Sequence, residues 1–514
     1  MRTRRSKGAV LLLLFILSYQ DYICQNYFSK RIGVSGKLNL TTKLLFINDT
    51  FFIPAAVYEV PYSQASATLL KIDNSGNSFL TPRFKPGNRS YFGSYGAFLF
   101  NNKIYATIVT DWGLQVQQGV CVFGRNADTI FTRSYGDTAY YNFARLILPY
   151  LKNKNKLLLF GVTDSSCGIN HPGLYKPVIR IIDTNGVLFE TKLFNTTCYY
   201  NSLWGADTTI KKGFAFCGAE IVNNTAKNYI IKLDSNLNQQ WNKYVDTGGS
   251  LANSIISLKK GGLLFAHNHT DSIQASTYNW DRISLTRLDI NGNVVWRKRY
   301  SNAEKDISVS RVKECANGDF ILCGQKYINY TSIVNQLVGW LMRTDSLGNV
   351  KWWKSYLPND PVKDTITQNY LYDVLELPNK DIASVGYVGG SGTFSTIVQT
   401  WLLKVDSNGC FGIGNCAQNI ALSINDHNTQ TKIDVNNVNI FPNPANSELN
   451  IELLDLNNPN YNLLITNTLG QTVHQAAINN QRSIVNISDF PQGIYFVTIK
   501  TGKATLTKKV VIEH

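Results

Sequence analysis

Short runs in which apolar and polar residues alternate fill most of the chain, and few stretches sustain the roughly 3.6-residue period of a helix. A turn signature interrupts the runs at regular intervals. Its cleanest copy reads Leu288-Asp289-Ile290-Asn291-Gly292-Asn293-Val294-Val295-Trp296: an apolar strand ending in Asp, a Gly-type turn, then a second strand that carries Trp. Close copies sit at Asp73, Asp183, Asp234, Asp345 and Asp406, with a degenerate one at Asp128. Subtracting successive numbers gives steps of 55, 55, 51, 55, 56 and 61. A period of that size marks one supersecondary unit copied along the chain, seven times by this count.

Residues 307–356 show what one unit predicts. Positions 307–313 alternate as a strand, 314–319 form a turn, 320–324 a second strand, 338–345 a third and 350–356 a fourth, with a tight turn at 346–349. Second-strand copies recur at 156–161, 213–218, 262–266 and 381–386, and fourth-strand copies at 189–194 and 240–244. A four-stranded antiparallel sheet cannot hide both faces alone. Stacked radially with its neighbours it can, leaving only short protected edges. The seventh unit lacks a Trp-bearing fourth strand after Asp406, whereas Tyr27-Phe28-Ser29-Lys30-Arg31-Ile32-Gly33 looks like Trp296-Arg297-Lys298-Arg299-Tyr300 without its first three strands. Residues 27–33 are therefore expected beside 401–405, closing a ring rather than an open solenoid. The fold class predicted is all-β: a seven-bladed β-propeller over 25–416, a polar linker over 417–437, and a small immunoglobulin-like β-sandwich over 438–514.

The repeated Asp and Gly have turn chemistry to do, because Asp bonds the backbone two residues on and Gly accepts positive φ. Asp289-x-Asn291-x-Asn293 begins like a calcium loop, but Gly stands at the fourth position and no Glu follows at the twelfth. Trp241, Trp296, Trp352 and Trp353 read as packing anchors between blades. The Asp-x-x-Gly-x-x-x-Trp unit resembles the repeats of quinoprotein-type propellers over the turn and its flanking strands. Those enzymes use eight blades and, in the alcohol-oxidising group, a vicinal Cys pair. This chain has neither, so the resemblance implies architecture and carries over no cofactor.

Length and composition fit this picture. A chain of 514 residues is too long for one ordinary core, and 12% aromatic content with 27 Tyr and 25 Phe favours strands. The formal charge of +15 is that of a lysine-rich solvated surface, or of one attracted to an anionic partner such as a surface polysaccharide or lipid headgroups. No dense basic tract follows the first residues, which argues against a nucleic-acid partner. Arg2, Arg4, Arg5 and Lys7 precede an apolar run at 9–17, so residues 1–24 predict an export signal cleaved before Gln25. Arg4-Arg5 lacks the rest of a twin-arginine motif, and Cys24 follows Tyr22-Ile23 where a lipoprotein signal wants small residues. No later stretch reaches about 18 apolar residues, so the mature chain is expected to be soluble, without a transmembrane segment. Export permits disulfides. Removing Cys24 from the nine leaves Cys121, Cys167, Cys198, Cys217, Cys315, Cys323, Cys410 and Cys416. Cys410 and Cys416 flank a short flexible loop and are the first candidate pair, with Cys167 and Cys198 the second. No paired-ligand spacing for zinc appears.

After residue 438 the pattern changes. Val438-Asn439-Ile440-Phe441-Pro442-Asn443-Pro444 opens a series of short alternating strands at 448–453, 461–467, 472–475, 483–487, 493–501 and 505–512. Pro442-Asn443-Pro444, Asn467-x-Leu469-Gly470-Gln471, Gly493-x-Tyr495-x-Val497 and Lys508-Lys509-Val510-Val511 together resemble the type A C-terminal sorting domain of the Bacteroidetes type IX secretion system. The resemblance implies Sec export to the periplasm and passage through an outer-membrane translocon. It further implies removal of the domain by a sortase-like peptidase, with attachment to surface lipopolysaccharide or release. An exposed edge or the last strand would be the handle.

Candidate chemistry is sparse. His267-Asn268-His269-Thr270-Asp271 sets two imidazoles and a carboxylate at alternate strand positions, the ligand types of a zinc or copper site, although His pairs at strand ends are ordinarily solvated. No nucleophile elbow, zinc-protease helix or phosphate-binding loop occurs, so no catalytic or cofactor-binding residue is assigned. Three readings stand: a secreted or surface propeller that binds glycans or proteins, an extracellular hydrolase or lyase acting on polysaccharide through two carboxylates from distant blades, and a structural or adhesive surface component. Carboxylates clustered in a central channel would favour catalysis; an aromatic-rimmed face would favour binding.

Overall fold

The computed structural model describes residues 27–411 and 438–514, apart from 33–36, 60–63, 80–82, 85–89, 93–95, 112–115, 137–140, 165–174, 195–200, 223–224, 248–252, 272–279, 301–306, 332–333, 359–365, 391–397, 454–460, 469–470, 479 and 501–504. The export segment 1–24, Cys167, Cys198, Cys416, Gly470, His171, His427 and the linker 417–437 thus lie outside the described residues. The chain divides into two compact units, 1–423 and 424–514. The described residues contain strands and turns but no helix, and so none long and apolar enough to cross a membrane.

In the first unit six sheets follow one another along the chain. The third, fourth and fifth, at 142–193, 201–247 and 253–300, have four strands each. The first and second, at 37–84 and 90–135, follow the same plan with edge strands broken into shorter pieces. The sixth has eight strands. Its early half is Ile307–Glu314, Phe320–Thr331, Val334–Thr344 and Val350–Tyr356. Its late half is Ile366–Glu376, Ile382–Gly390 and Val398–Val405, and one parallel pair, Leu337 opposite Gln368, joins the halves. The N-terminal strand Phe28–Ile32 completes the late half, antiparallel, with Phe28 opposite Lys404 and Ile32 opposite Thr400. This is the neighbour expected for residues 27–33. The second and third strands of the early half run past the expected 320–324 and 338–345, because their ladder continues to Thr331 opposite Val334 through residues with no apolar alternation.

The burial pattern explains the sequence pattern. Second strands are covered on both faces by neighbouring sheets, so Leu157, Leu158, Leu159 and Phe160 form an unbroken apolar run, all wholly buried. Fourth strands are outermost, and Val294 and Val295 remain exposed. Cores form between sheets: Leu264 and Leu285 of the fifth pack with Leu322, Trp340 and Met342 of the sixth.

The Asp-Gly turn does more than reverse the chain. At Asp289 the Oδ1 atom accepts N–H groups of Asn291 at 2.9 Å and Asn293 at 2.7 Å, while Oδ2 accepts the Asn293 amide at 3.0 Å. The Asn293 N–H above all, then its side-chain amide and the Asn291 N–H, hold that carboxyl below the usual range. Asp73, Asp183, Asp234, Asp345 and Asp406 each accept the same two backbone donors, two and four residues on. A carboxylate so engaged acts as a turn anchor, as its neighbouring Gly and Asn residues suggested. The turn Gly has positive φ, +78° at Gly292 and +81° at Gly348, and lacks a Cβ because the preceding sheet lies against it. A Cβ on Gly292 would stand 2.9 Å from Trp241; one on Gly348 would stand 3.1 Å from Trp296; one on Gly409 would stand 3.0 Å from Trp352. Two residues beyond each Trp a lysine reaches the same turn: Lys243 to Asn293, Lys298 to Asn349, Lys354 to Asn408. Two residues further, Tyr300 donates to the Gly348 carbonyl at 2.7 Å and Tyr356 to Gly409 at 2.8 Å. The fourth strands that carry Trp241, Trp296 and Trp352 therefore grip the turn of the next sheet. Phe28–Ile32 repeats the grip on the first sheet: Lys30 donates to the carbonyls of Ser75 and Gly76, and its side chain fills the space above Gly76. Trp353 instead packs inward, 5.6 Å from Trp340.

Of the eight cysteines after residue 24, five lie among the described residues. Cys121, Cys217, Cys315 and Cys323 are buried free thiols, packed as small apolar residues in the inter-sheet cores. Cys410 is buried at the turn after Val405, and its expected partner Cys416 is outside the described residues.

The second unit has two sheets around one core. Val438–Phe441, Glu448–Leu453 and Arg482–Asn486 form one; Thr472–Ile478, Tyr461–Asn467, Gly493–Lys500 and Thr505–Ile512 form the other. Leu449, Ile451, Val485, Ile465, Val497 and Val510 meet between them.

Removing residues 25–34 takes away both the eighth strand and its grip on Gly76, so the melting temperature should fall sharply. Trp296→Ala, which empties one grip, should cost about 2–3 kcal/mol in chemical unfolding. An unchanged melt in the deletion would reject the closing role of the strand.

Candidate functional site

First strands of different sheets bring charged side chains to a common centre. Asp373, on Ile366–Glu376, is wholly buried. Its Oδ2 accepts the Leu44 N–H at 3.0 Å and lies 2.9 Å from the Lys43 ammonium; Oδ1 lies 3.5 Å from Arg311 Nε. Burial pushes the Asp373 carboxyl up, but Lys43, then Arg311 and Lys313, outweigh it and hold it below the usual carboxylate range. Burial lowers Lys43 to about 8 despite the attraction of Asp373. Asp207, on Asn201–Thr208, accepts N–H groups of Ser257 at 2.9 Å and Thr208 at 2.8 Å. Burial raises its pKa against those donors and against Lys313 and Lys43. Asp207 of the fourth sheet thus feels Lys43 of the first and Lys313 of the sixth. The set holds three cations and two carboxylates, and both carboxylates are tied to backbone N–H groups of the next sheet. They staple first strands together, Asp373 to Leu44 and Asp207 to Ser257.

A second group lies on the late half of the sixth sheet. Tyr370, Tyr372 and Tyr387 stack on one another with centroids 4.8–5.7 Å apart, each partly exposed. Tyr370 and Tyr387 are cross-strand partners, and a register shift between Leu371 and Asp373 separates this aromatic face from the buried Asp373. Burial raises the Tyr370 hydroxyl, with Tyr387 and Tyr327 close enough to add to the shift. An exposed aromatic stack of this kind offers ring faces and hydroxyls to a sugar or a peptide.

The histidine motif is placed differently from a solvated strand end. His267 and His269 are buried on Leu263–Asp271. The His269 ring is 2.8 Å from Ser284 Oγ, and His267 lies 3.4 Å from the Asn228 amide and stacks on Phe265 at 4.6 Å. The neighbouring Asn268 accepts the Val309 N–H at 3.0 Å, fastening the fifth sheet to the sixth. The strand is covered on both faces, so polar residues at its end are buried and matched with neutral partners. The Asp271 side chain is outside the described ones. Among the described residues no group of three or more His, Cys, Asp or Glu is placed to hold a metal ion.

In the C-terminal unit the motif residues converge on the last strand. Asn443 accepts the Val511 N–H at 2.8 Å and donates to the Lys509 carbonyl at 3.2 Å, so Pro442-Asn443-Pro444 is pinned to Thr505–Ile512. Tyr495 is buried and donates to the Pro491 carbonyl at 2.8 Å; Gly493 opens its strand. Lys508 donates to the Val438 carbonyl at 2.6 Å, while Lys509 is exposed. Thr505–Ile512 is the outer strand of its sheet, met at its end by Ala445. His474 lies on Thr472–Ile478, and His514 sits 2.8 Å from the Phe490 carbonyl.

Residues 439–513 match the family described as the secretion system C-terminal sorting domain, which supports a type IX secretion substrate directed to the cell surface or beyond. No curated protein matches the chain. Solved structures are similar at low identity. The alpha-L-arabinanase of Penicillium chrysogenum complexed with arabinobiose is 9% identical with TM-score 0.40, over 74% of this chain and 98% of that one. The GH93 alpha-L-arabinofuranosidase of Fusarium graminearum with arabinobiose is 9% identical with TM-score 0.39, over 74% and 97%. A Dyadobacter fermentans protein of unknown function is 9% identical with TM-score 0.40, over 62% and 98%.

Asp373 should govern acid stability. Its folded pKa lies below the unfolded one, so its contribution is full above the ordinary Asp range and is lost as pH falls through the depressed value. Asp373→Asn leaves Lys43 and Arg311 without a counter-charge and should cost about 3–5 kcal/mol at pH 7. Unfolding curves from pH 7 to 2 should show the gap between wild type and variant closing as the wild-type carboxyl protonates. A constant gap would assign Asp373 a purely steric role.

Proposed function

We propose that this protein is an exported, seven-bladed β-propeller that binds a glycan or protein outside the cell, with residues 438–514 as its removable address. The early and late halves of the eight-stranded sheet are read as two blades joined by a single parallel pair, and Phe28–Ile32 as the strand that shuts the ring. The contact of Lys30 with the Gly76 turn of the first sheet, where other sheets use Trp, supports that closure. The linker, the immunoglobulin-like character of the last unit and a Cys410–Cys416 disulfide belong to the same proposal. So do the type IX translocon and a sortase-like peptidase as partners, and lipopolysaccharide attachment or release as the outcome.

The observation that carries the binding reading is the partly exposed Tyr370–Tyr372–Tyr387 stack. Its rings present the aromatic surface that ligand sites use. One observation favours the hydrolytic alternative: Asp207 is raised and Asp373 lowered within one cation set, the divergence a general acid and its partner need. Against it, Asp373 is wholly buried and both carboxylates are committed to backbone donors.

On a glycan array the mature chain should give discrete positives, and Tyr372→Ala should weaken them by up to about tenfold, the loss of one stacking contact of about 0.5–1.5 kcal/mol. Binding that survives Tyr372→Ala would move the site elsewhere. A reporter fused to residues 438–514 should reach the surface or medium of a type IX-competent host; a reporter held in the periplasm would reject the address.

A further inference from the structure

The cleft between consecutive sheets on their turn side occurs in two chemically opposite forms. Between the early and late halves of the sixth sheet it is neutralised. Arg343 lies 2.9 Å from Asp319 and 3.1 Å from Glu376, and Lys351 lies 2.8 Å from Asp319. The Cys315 thiol hydrogen-bonds Glu376 as well. Arg343 and Lys351 each have a carboxylate there.

The repeat allows the same positions to be found between the fourth and fifth sheets. Counting from the turn Asp, Lys232 stands two residues before Asp234 as Arg343 stands two before Asp345. Counting from the shared turn bonds, Thr209 pairs with Gly213 as Cys315 pairs with Asp319, and Leu258 with Gly262 as Leu377 with Asp381. Gly213 therefore replaces Asp319, Ser257 replaces Glu376, Gln240 replaces Lys351 and Thr209 replaces Cys315. Both carboxylates are gone. A cavity of about 430 Å³ lies there, lined by Thr209, Gly213, Lys232, Gln240, Trp241 and Ser257, with Lys211 and the turn carboxylate Asp234 also on its wall. Lys232, nine-tenths buried, hydrogen-bonds only neutral groups, the Leu233 carbonyl at 2.8 Å and Gln240 Oε1 at 3.1 Å, while the nearby Asp234 carboxylate attracts it but is itself taken up by the Asn236 and Asn238 N–H groups. Thr209 Oγ1, in a residue equally buried, has no hydrogen-bond partner although it lines the cavity. A Cβ on Gly213 would stand 2.3 Å from the Leu233 carbonyl, 2.9 Å from Lys232 Nζ and 3.2 Å from Thr209 Oγ1, so these groups fill the place of the Asp319 side chain and the open space lies on the Ser257 side.

We propose that this cavity receives the carboxylate of an acidic sugar, which stands where Glu376 stands in the neutralised cleft and completes Lys232 and Thr209. The mouth suits the rest of such a ligand: exposed Ile210 and Ile290 and the half-buried Trp241 offer an apolar wall for the C–H face of the ring, while Gln240 and Ser257 offer hydrogen bonds to hydroxyls. The assignment rests on the glycan-binding reading and narrows it to uronate-bearing chains.

Calorimetric titration of the mature full-length chain with galacturonate, galactose and acetate tests it. Galacturonate should bind at least about tenfold more tightly than either, because only it supplies both a charged hydrogen-bond acceptor and a ring. Gln240→Glu is isosteric and supplies its own carboxylate beside Lys232; it should lose galacturonate binding at least about tenfold while melting no lower than wild type. Ser257→Glu, which rebuilds the Glu376 position, should do the same. Galactose binding as well as galacturonate overturns the charge assignment, and acetate binding as well overturns the sugar. Retained affinity in both variants overturns the location. Failure here with glycan-array signals that depend on Tyr372 leaves the general binding reading standing, whereas uronate binding here with a blank array does the reverse.

Discussion

The first unit depends on one recurring contact: a turn glycine held under an aromatic ring from the sheet before it. The contact needs three things at once. Asp fixes the turn through two backbone donors, as at Asp345. Gly supplies positive φ and leaves the space that Trp296 fills above Gly348. A tyrosine two turns of the pleat further on then donates to the glycine carbonyl, as Tyr300 does. Each element alone is ordinary. Repeated between successive sheets, they set spacing and orientation, and the apolar cores of Leu264, Leu322 and Trp340 fill what lies between.

That is why so much of the architecture was legible. The turn and the strand that grips it lie within one repeat, so Asp, Gly and Trp recur at fixed offsets and expose the period. Phe28-x-Lys30 could be read as a displaced fourth strand for the same reason. The functional groups could not be read this way. Lys43, Arg311, Asp373 and Asp207 come from three or more separate sheets, and only charge on a strand of alternating burial hinted at them. The Tyr370–Tyr387 stack depends on cross-strand register, which no local pattern states. His267 and His269 misled because a second strand buried on both faces hides its polar end too. An apolar thiol such as Cys323 packs in a core as readily as it pairs, so a cysteine count alone does not say which thiols are bonded.

Electrostatics divides the molecule into zones with different tasks. The converging first strands hold ions that are matched and stapled, which makes them structural. At Asp73, Asp234, Asp289, Asp345 and Asp406 a basic residue stands two places before the turn Asp, and the residue at the position of its acid partner differs between clefts, as Asp319 and Gly213 show. The scaffold can therefore alter one cleft without disturbing its neighbours, since the grip and the core sit on other side chains. The C-terminal unit is separate chemistry again, with its opening Asn443 tied to its own last strand.

The strand that completes the late half of the sixth sheet comes from the other end of the unit, and Ser29 meets Trp401 across 372 residues of sequence. A contact of that sequence separation closes late, because the loop entropy must be met before the ladder rewards it. The leading residues therefore stay unpaired until the final repeat has formed, and the two ends of the unit are fastened to each other only once everything between them is in place.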